Sequence, residues 1–323
     1  MRAFWQGHFS DSFKVGNGVR QGGVLSPLVF NLYMDELIKQ LESSGYGCYI
    51  GHIFYGALGY ADDLTLLAPT IYGLQKMLKI CEKFGMEYDV KFNPQKTVCI
   101  TFSNDKVGGL PEVMFAGKSL QWASEVKHLG NFLQSDLKDT KEFAYKKNDI
   151  IRGANSIIAN FQFVSHDVKI TLFNAHCSSL YGSQAWDLTT RSLHDIEVKW
   201  RVCARSVLGL HYRTHNFLIP MLLAQPAIKI QVMDRFKKMI KTCMAGDNTY
   251  VQYLISNSCR EQGHIGKNVR YCDANVPTVT YDDHKLAQCS VVRELLDVRD
   301  GFSVTNLSKI EVQELLDLSC TYI

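Results

Sequence analysis

Apolar and polar positions change their period several times along the first 136 residues, which predicts strands alternating with helices. Residues 4–19 alternate loosely around three glycines and predict a β-hairpin. Ser26 and Pro27 have the residue types of a helix N-cap and first helical position. The helix that follows is predicted to reach about residue 42 and to bury one apolar face, formed by Leu28, Leu32, Leu37 and Leu41.

Two apolar runs, at residues 53–61 and 64–68, flank the acidic pair Asp62-Asp63. Short apolar runs on both sides of two turn-forming residues are typical of a tight β-hairpin. The pattern therefore predicts two short buried strands with the two aspartates at their turn.

A helix and further strands are predicted after this hairpin. Apolar residues at i, i+3, i+4 and i+7 from Leu74 to Cys81 predict an amphipathic helix that ends at Gly85. Alternation over residues 97–102 predicts a half-buried strand that turns Val98, Ile100 and Phe102 to one face. Residues 113–133 predict another hairpin, which turns near residue 117.

After about residue 136 the pattern becomes helical. Helices are predicted at residues 140–163, 166–186, 192–209, 226–245, 284–298 and 308–319. Residues 246–281 are polar and predict an irregular segment. The pattern gives three regions: an α+β region at 1–136, a helical region at 137–245, and an irregular and helical region at 246–323.

Composition adds little about function. The chain has 323 residues, of which 46% are hydrophobic and 21% charged, a balance typical of globular proteins and not of disordered or fibrous ones. No run of about 18 apolar residues occurs, so no transmembrane helix is predicted. The ten cysteines are expected to be thiols in a reducing compartment. A net charge of +3 does not by itself indicate a nucleic-acid-binding protein.

One predicted helix is distinctly basic. Lys237 and Lys241 lie four positions apart, so they share a helix face, and Lys238 lies beside them. The three lysines are candidates for contact with a nucleic-acid backbone. The alternative is an ordinary solvated helix face.

The Asp62-Asp63 pair is the strongest candidate for chemistry. Two carboxylates held close together raise each other's pKa unless a cation neutralises them. Mg²⁺ takes oxygen ligands and commonly shares carboxylates with substrate phosphates. A solvated surface turn is the alternative, because aspartate is common in turns; the flanking apolar runs favour the end of a buried sheet.

Four motifs follow one another in a specific order along residues 17–130. They are Asn-Gly-Val-Arg-Gln-Gly-Gly-Val-Leu-Ser-Pro-Leu-Val-Phe-Asn at 17–31, Tyr-Ala-Asp-Asp at 60–63, Phe-Asn-Pro-Gln-Lys-Thr at 92–97 and Lys-His-Leu-Gly at 127–130. This succession resembles the palm of reverse transcriptases from LINE-type, non-LTR retrotransposons. The resemblance covers residues 1–135 and extends weakly through Leu-Tyr-Gly-Ser-Gln-Ala-Trp at 180–186. It implies a right-hand polymerase palm followed by a mainly helical thumb.

The resemblance implies roles for residues at and near the acidic turn. Asp62 matches the metal-binding aspartate and Asp63 its less directly involved neighbour, so both are candidate catalytic residues and Mg²⁺ ligands. Tyr60 is a candidate substrate-binding residue. Lys96 matches the lysine that protonates or neutralises the leaving pyrophosphate, with an exposed turn lysine as the alternative.

Two further segments acquire roles in the same way. Arg20, Gln21 and Gly22 match the loop against the templating base pair and the incoming nucleotide. A glycine suits this place, because it lets the backbone approach closely. Residues His128, Leu129 and Gly130 match the hairpin that grips the end of the primer.

The resemblance also implies the reaction and the partners. Two Mg²⁺ ions, about 3.5–4 Å apart, activate the primer 3′-hydroxyl and stabilise the leaving pyrophosphate in such sites. The expected partners are an RNA template, a DNA primer and deoxynucleoside triphosphates. The family implies an intracellular location, in the nucleus and the cytoplasm.

One part of the family's palm has no match. The family carries another aspartate on a strand encoded before the Gln21-Gly22 loop, whereas Asp11 is the sole acidic residue before Gln21 here and matches a different segment. We therefore expect an N-terminally truncated domain that is inactive alone. A non-enzymatic nucleic-acid-binding remnant is the alternative function. Group II intron maturases are an alternative family, because they share the arrangement of the palm, but the sequences of the motifs favour the LINE type.

Three other sequence features are interpreted as structural and not as functional sites. The Tyr281-to-His284 segment repeats the acidic pair without flanking apolar strands, and an aspartate N-cap explains it. The cysteines and histidines between Cys259 and Cys289 lack the close cysteine pair of zinc knuckles, so no zinc is expected. Trp186 and Trp200 are predicted to be core residues of helices.

Overall fold

The computed structural model describes residues 2–14, 22–102 and 109–274, and it forms two units, which divide between Ser124 and Glu125. The predicted helices at 284–298 and 308–319 and the Tyr281-to-His284 segment lie outside the described residues. The division comes twelve residues before the predicted boundary, because the hairpin that follows Ser124 packs on the first helix of the second unit.

The first unit mixes short strands with two long helices. Its elements are β1 (Phe4–Trp5), β2 (His8–Phe9), α1 (Ser26–Ser43), β3 (Tyr49–Ile50), β4 (Ile53–Phe54), β5 (Ala57–Tyr60), β6 (Asp63–Leu66), α2 (Ile71–Tyr88), β7 (Val98–Ile100), β8 (Met114–Phe115), β9 (Lys118–Ser119) and β10 (Gln121–Ala123). Each described strand of the unit has a single partner: β7 pairs in parallel with β10, and the others form antiparallel hairpins.

Helix α1 begins at Ser26, one residue earlier than predicted. Leu25 is the N-cap and Ser26 is already helical, so the prediction that Ser26 caps the helix is wrong. The predicted apolar face is right only for its C-terminal half. Leu37 and Leu41 are fully buried, whereas Leu28 and Leu32 are exposed, because no described part of the unit packs on the first turns of α1.

Helix α2 has a side-chain cap at its N-terminus and continues past its predicted end at Gly85. The Thr70 Oγ1 atom accepts a hydrogen bond from the Gly73 amide at 3.0 Å. The helix runs through Gly85 to Tyr88 and stops at Asp89, whose φ is +54°. Gly85 serves a different purpose, because a Cβ atom there would lie 2.7 Å from the Val90 carbonyl oxygen, so the returning chain requires a glycine.

Strand β7 turns the opposite face inward from the one predicted. Cys99 is buried, whereas Val98 and Phe102 are exposed. The parallel pairing with β10 aligns Cys99 with Trp122 and places the thiol in the core of the unit. Burial raises the pKa of Cys99 to about 11, so this side chain behaves as a small protonated apolar group.

The core of the first unit forms between α2, the C-terminal half of α1 and the short strands. Its buried members are Leu37, Leu41, Phe54, Met77, Leu78, Cys81, Phe84, Cys99, Val113, Phe115 and Leu120. Met77, Leu78 and Cys81 of the predicted apolar stripe of α2 are buried, Leu74 packs against them partly buried, and Phe84 extends the stripe. This stripe fixes α2 against the base of the unit.

The second unit is a helical assembly that opens with one hairpin. Its elements are β11 (Glu125–His128), β12 (Asn131–Gln134), α3 (Thr140–Asn160), α4 (His166–Cys177), a 3-10 helix (Ser183–Ala185), α5 (Arg191–Leu208), α6 (Leu218–Leu222), α7 (Ile228–Ala245), α8 (Thr249–Arg260) and α9 (His264–Ala274). Four of the predicted helices recur as α3, α4, α5 and α7, although α4 ends at Cys177 rather than at 186.

The prediction of an irregular segment at 246–281 is wrong for residues 249–274, and residues 275–281 lie outside the described residues. Helix α8 is capped by the Asn248 side chain, which accepts a hydrogen bond from the Val251 amide at 3.1 Å, and α9 follows after a short bend. Most residues of these two helices are buried or partly buried, with Ile255 buried on α8 and Gly266, Asn268 and Cys272 buried on α9.

Both tryptophans of the second unit are core residues, as predicted. Trp200 on α5 is fully buried and donates from its Nε1 to the Ser178 hydroxyl at 3.0 Å. Trp186 is also buried, although it follows the 3-10 helix instead of lying within an α-helix. In the part of the chain that the structure describes, no helix combines the length and the apolar character needed to cross a membrane.

Candidate active site

The acidic pair lies at the tip of the β5–β6 hairpin. Tyr60 pairs with Asp63, so the two turn residues are Ala61 and Asp62, and Asp63 is the first residue of β6. The turn is therefore displaced by one residue from its predicted position. Ala61 adopts a φ of +51°, which a two-residue hairpin turn with a left-handed first position requires.

The hairpin tip is exposed, which corrects the prediction of two buried strands. Tyr60 is 65% exposed and Leu58 is 51% exposed, and both aspartates are exposed. Within the two strands, Ala57, Leu64 and Leu66 pack against the core. The strands thus hold the acidic turn away from the apolar interior.

Neither carboxylate has a protein counter-charge in the described residues. No salt bridge or side-chain hydrogen bond joins Asp62 or Asp63 to a described residue. Carboxylate oxygens are the donors that Mg²⁺ prefers, so the pair fits such an ion in chemical type. Among the described residues no cluster of three metal-ligating side chains occurs. Water and substrate phosphates are the usual sources of the remaining ligands of Mg²⁺.

Lys96 lies in a well-defined turn before β7. The Asn93 carbonyl oxygen accepts hydrogen bonds from the Lys96 and Thr97 amides, both at 3.2 Å, and the Asn93 side chain accepts one from the Gln95 amide at 3.0 Å. The Lys96 side chain is exposed and makes no ion pair with Asp62 or Asp63. Its ammonium group is thus accessible to an anion from solution.

The predicted nucleotide loop is only partly described. Arg20 and Gln21 lie outside the described residues, so no geometry can be assigned to them. Gly22 is described, and its φ of +77° is one that L-residues rarely adopt. This conformation explains the glycine at that position.

The predicted primer-gripping hairpin belongs to the second unit. His128 and Asn131 pair across the β11–β12 turn, whose two residues, Leu129 and Gly130, have φ values of +47° and +84°. This pattern of two left-handed residues is that of a tight hairpin turn. One pair away from the turn, the Phe132 amide donates to the buried Glu142 carboxylate at 2.9 Å.

A segment some fifty residues downstream holds the tip of this hairpin. The Tyr181 hydroxyl donates to the Leu129 carbonyl oxygen at 3.0 Å. A Cβ atom on Gly130 would lie 2.9 Å from the Tyr181 ring, and one on Gly182 would overlap the Asn131 Oδ1 atom. Both glycines are therefore required by close packing. The sequence motifs identified both segments, but nothing in them revealed that they touch.

We expect Tyr181→Phe to loosen the hairpin tip without disturbing the fold. The substitution removes the hydroxyl that binds the Leu129 carbonyl but keeps the ring that packs on Gly130. Hydrogen exchange of the Leu129–Asn131 amides should accelerate by several-fold, as expected for the loss of about 0.5–1.5 kcal/mol of hydrogen-bond stabilisation. Tyr253→Phe, on the surface of α8, is the control and should leave these rates unchanged. Equal rates in Tyr181→Phe and the wild type would show that this bond does not hold the tip.

The three basic candidates lie on one described helix. Lys237, Lys238 and Lys241 are all exposed on α7, as the sequence predicted. The apolar side of the helix is buried through Val232, Met233 and Phe236. The lysines thus extend from a fixed helix into solvent.

Comparison with known proteins agrees with the motifs. Residues 3–133 match the family described as reverse transcriptase (RNA-dependent DNA polymerase). Over 139 residues the chain is 34% identical to the retrovirus-related Pol polyprotein from type-2 retrotransposable element R2DM of Drosophila melanogaster. Over 80 residues it is 45% identical to the Pol polyprotein from type-1 retrotransposable element R2 of Nasonia vitripennis. Over 259 residues it is 24% identical to the RNA-directed DNA polymerase from mobile element jockey of Drosophila funebris.

The alignments cover different shares of the chains compared. They include 43%, 24% and 74% of this chain, respectively, but only 12%, 8% and 28% of these relatives. The chain thus spans less than a third of each relative's length. The jockey alignment extends beyond the palm-like motifs into the helical unit. Residues 3–133 thus match reverse transcriptases, and the three relatives are two Pol polyproteins of retrotransposable elements and one polymerase of a mobile element.

Proposed function

We propose that the chain contributes a metal-binding turn, a pyrophosphate-side lysine and a primer-gripping hairpin to RNA-directed DNA synthesis. The substrates would be an RNA template, a DNA primer and deoxynucleoside triphosphates. The observation that carries the proposal is the β5–β6 hairpin, which presents two exposed carboxylates without a described counter-charge inside a region that matches reverse transcriptases.

Each candidate residue would have a role that follows from its charge and its position. Asp62 and Asp63 would hold Mg²⁺, which supplies Lewis-acid activation of the primer hydroxyl and neutralises phosphate charge when bound. Lys96, an exposed cation in a fixed turn, would balance the charge that develops on the leaving pyrophosphate. The left-handed backbone at Gly22 would let the main chain approach the nucleotide without a Cβ atom.

The hairpin at 128–130 would position the primer end. The Tyr181 hydroxyl binds the Leu129 carbonyl and Glu142 binds the Phe132 amide, so the backbone at the hairpin tip is pre-organised. Positioning of this kind lowers the entropic part of the barrier to nucleotide transfer. In this proposal the mixed unit and the hairpin form the palm, and the helices from α3 onward form the thumb.

Extension of a DNA primer on an RNA template tests the proposal. The assay compares two polypeptides. One is residues 1–323 alone, and the other joins these residues to the family's first aspartate strand. Extension that requires Mg²⁺ and depends on Asp62 supports the proposal. A joined polypeptide that binds primer–template tightly but extends no primer would overturn it in favour of a non-enzymatic nucleic-acid-binding function.

The basic face of α7 gives a separate prediction. If Lys237, Lys238 and Lys241 touch phosphates, duplex affinity should fall with salt, and replacing all three by alanine should flatten the log–log slope by up to about 0.9 per lost contact. The loss should be similar for all duplex sequences, because phosphates carry no sequence information. We would measure affinity by fluorescence anisotropy at several salt concentrations.

The control for this measurement is a second lysine triplet. Lys76, Lys79 and Lys83 lie on one face of α2, so their replacement removes the same charge from a different helix. An unchanged slope in the α7 variant, or an equal change in the α2 variant, would show that the α7 lysines are only a solvated face.

A further inference from the structure

The loop between α5 and α6 exposes an unusual number of rings. Tyr212 is 71% exposed, Phe217 is 42% exposed, and His211 and His215 are also exposed. Arg213 lies between them in sequence and is likewise exposed. Exposing large rings next to one another forgoes the free energy of their burial, so such a patch calls for a function.

The loop is nevertheless anchored at its centre. Thr214 is buried, and its amide and hydroxyl both donate to the His211 carbonyl oxygen, at 3.0 and 2.7 Å. Arg205 of α5 donates from Nε and Nη2 to the Thr214 carbonyl oxygen, at 3.2 and 2.8 Å, and from Nη2 to the Asn216 side chain. These bonds hold the backbone between His211 and Asn216, so its rings are pre-organised.

The exposed rings of this loop are interleaved with positive charge. The His211 and Tyr212 ring centroids lie 4.4 Å apart, at an interplanar angle of 35°. The Arg213 guanidinium lies 5.3 Å from the Tyr212 centroid, within the range of a cation–π contact. The His215 and Phe217 centroids lie 5.5 Å apart. Between Glu197 and Asp234 the sequence contains no acidic residue, so no carboxylate from this stretch offsets the charge.

We propose that the loop 211–217 is a stacking platform for single-stranded nucleic acid. An unpaired base would stack on Tyr212, beside His211, and Arg213 would bind the adjoining phosphate. Nucleic acid is the chemistry that this combination suits, because every base offers a π-face and every neighbouring phosphate an anion. The inference rests on the proposed function, since that function requires single-stranded template to reach the chain.

The platform would favour single strands over duplexes. In a duplex the bases stack on one another and offer no free face, so a ring at the protein surface gains little. Single-stranded RNA and single-stranded DNA share the π-face and the phosphate, so both are ligands for which the platform is suited. Binding of either one therefore supports the proposal.

Binding of short fluorescent oligonucleotides to the full chain tests the platform. We would titrate a single-stranded RNA, a DNA of the same sequence and the corresponding duplex, and follow anisotropy. Tyr212→Ala should weaken single-strand binding by about tenfold, within the range measured for loss of one stacked base. Tyr212→Trp should retain the affinity, because it keeps a flat ring. Duplex affinity should not change, which also reports that the variant is folded.

A matched control comes from the first unit. Tyr72 is an exposed tyrosine with the Lys76 ammonium 5.1 Å from its ring centroid, so Tyr72→Ala removes a comparable ring and cation contact elsewhere. Unchanged single-strand affinity in Tyr212→Ala, or an equal loss in Tyr72→Ala, would overturn the platform and leave the proposed polymerase function standing. No binding of any nucleic acid by the wild-type chain would overturn both.

Discussion

Replacing Asp62 by alanine should reduce Mg²⁺-dependent DNA synthesis by at least about a thousandfold in a polypeptide that joins this turn to the family's first aspartate strand. A thousandfold loss corresponds to about 4 kcal/mol of transition-state stabilisation. That is the magnitude expected when a metal that activates the nucleophile and neutralises the leaving group loses a carboxylate ligand. The exposure of the turn makes structural damage from this substitution small, because surface changes rarely alter stability by more than about 0.5 kcal/mol.

Primer extension and unfolding, measured on the same variant, separate chemistry from stability. Asp63→Ala should cost less than Asp62→Ala, in keeping with its place in the strand and not in the turn. The sequence supplies a control, because Asp282 and Asp283 form a second pair of adjacent aspartates. Asp282→Ala removes the same charge from this second acidic pair and should leave synthesis intact. Persistent synthesis in Asp62→Ala would mean that another group holds the metal.

The short-range parts of this site could be predicted from the sequence. Apolar runs on either side of two turn residues are sufficient to identify a hairpin, and the β5–β6 hairpin is present where the pattern placed it. The exact turn residues were missed by one position, because Ala61 rather than Asp63 takes the left-handed conformation. Local sequence gives an aspartate the higher turn preference, so pairing of Tyr60 with Asp63 had to be seen in the structure.

Burial was harder to predict than secondary structure. Apolar residues recur at helical spacing along the whole of α1, yet of the predicted face only Leu37 and Leu41 are buried. Strand β7 alternates as predicted but turns Cys99 inward, since cysteine packs as readily as valine and the pairing with β10 decides the face. A pattern shows which side chains share a face, and the position of neighbouring elements decides whether that face is buried.

Contacts between distant segments were not predictable from one sequence. The hairpin tip at Leu129 and the Tyr181-Gly182 segment are both motif residues, but their packing joins positions about fifty residues apart. Likewise, Arg205 on α5 fixes a loop whose residues carry no periodic signal. Helix α9 was not predicted from the sequence. It carries the residue on which a large part of the helical unit's stability is expected to depend.

Asn268→Ala should destabilise the second unit by about 2–4 kcal/mol. Asn268 on α9 is fully buried, accepts a hydrogen bond from the Leu188 amide at 3.0 Å and donates one to the Trp186 carbonyl oxygen at 2.8 Å. Truncation leaves that amide and that carbonyl without partners in an apolar core, at about 1–3 kcal/mol each when water cannot replace the lost bond. The pair of bonds also joins α9 to the segment that follows the 3-10 helix.

Urea unfolding followed by tryptophan fluorescence measures this effect, because Trp186 and Trp200 both lie in the core of the second unit. The midpoint should fall with little change in the slope, as for a pure loss of stability. Asn160→Ala, at the exposed end of α3, is the matched control, since its side chain only bonds back to Ser156 on its own helix. In that variant the free energy of unfolding should change by no more than about 0.5 kcal/mol. If both variants unfolded at the same urea concentration, water would have to reach the Leu188 amide and the Trp186 carbonyl, and α9 would not be docked as the structure shows.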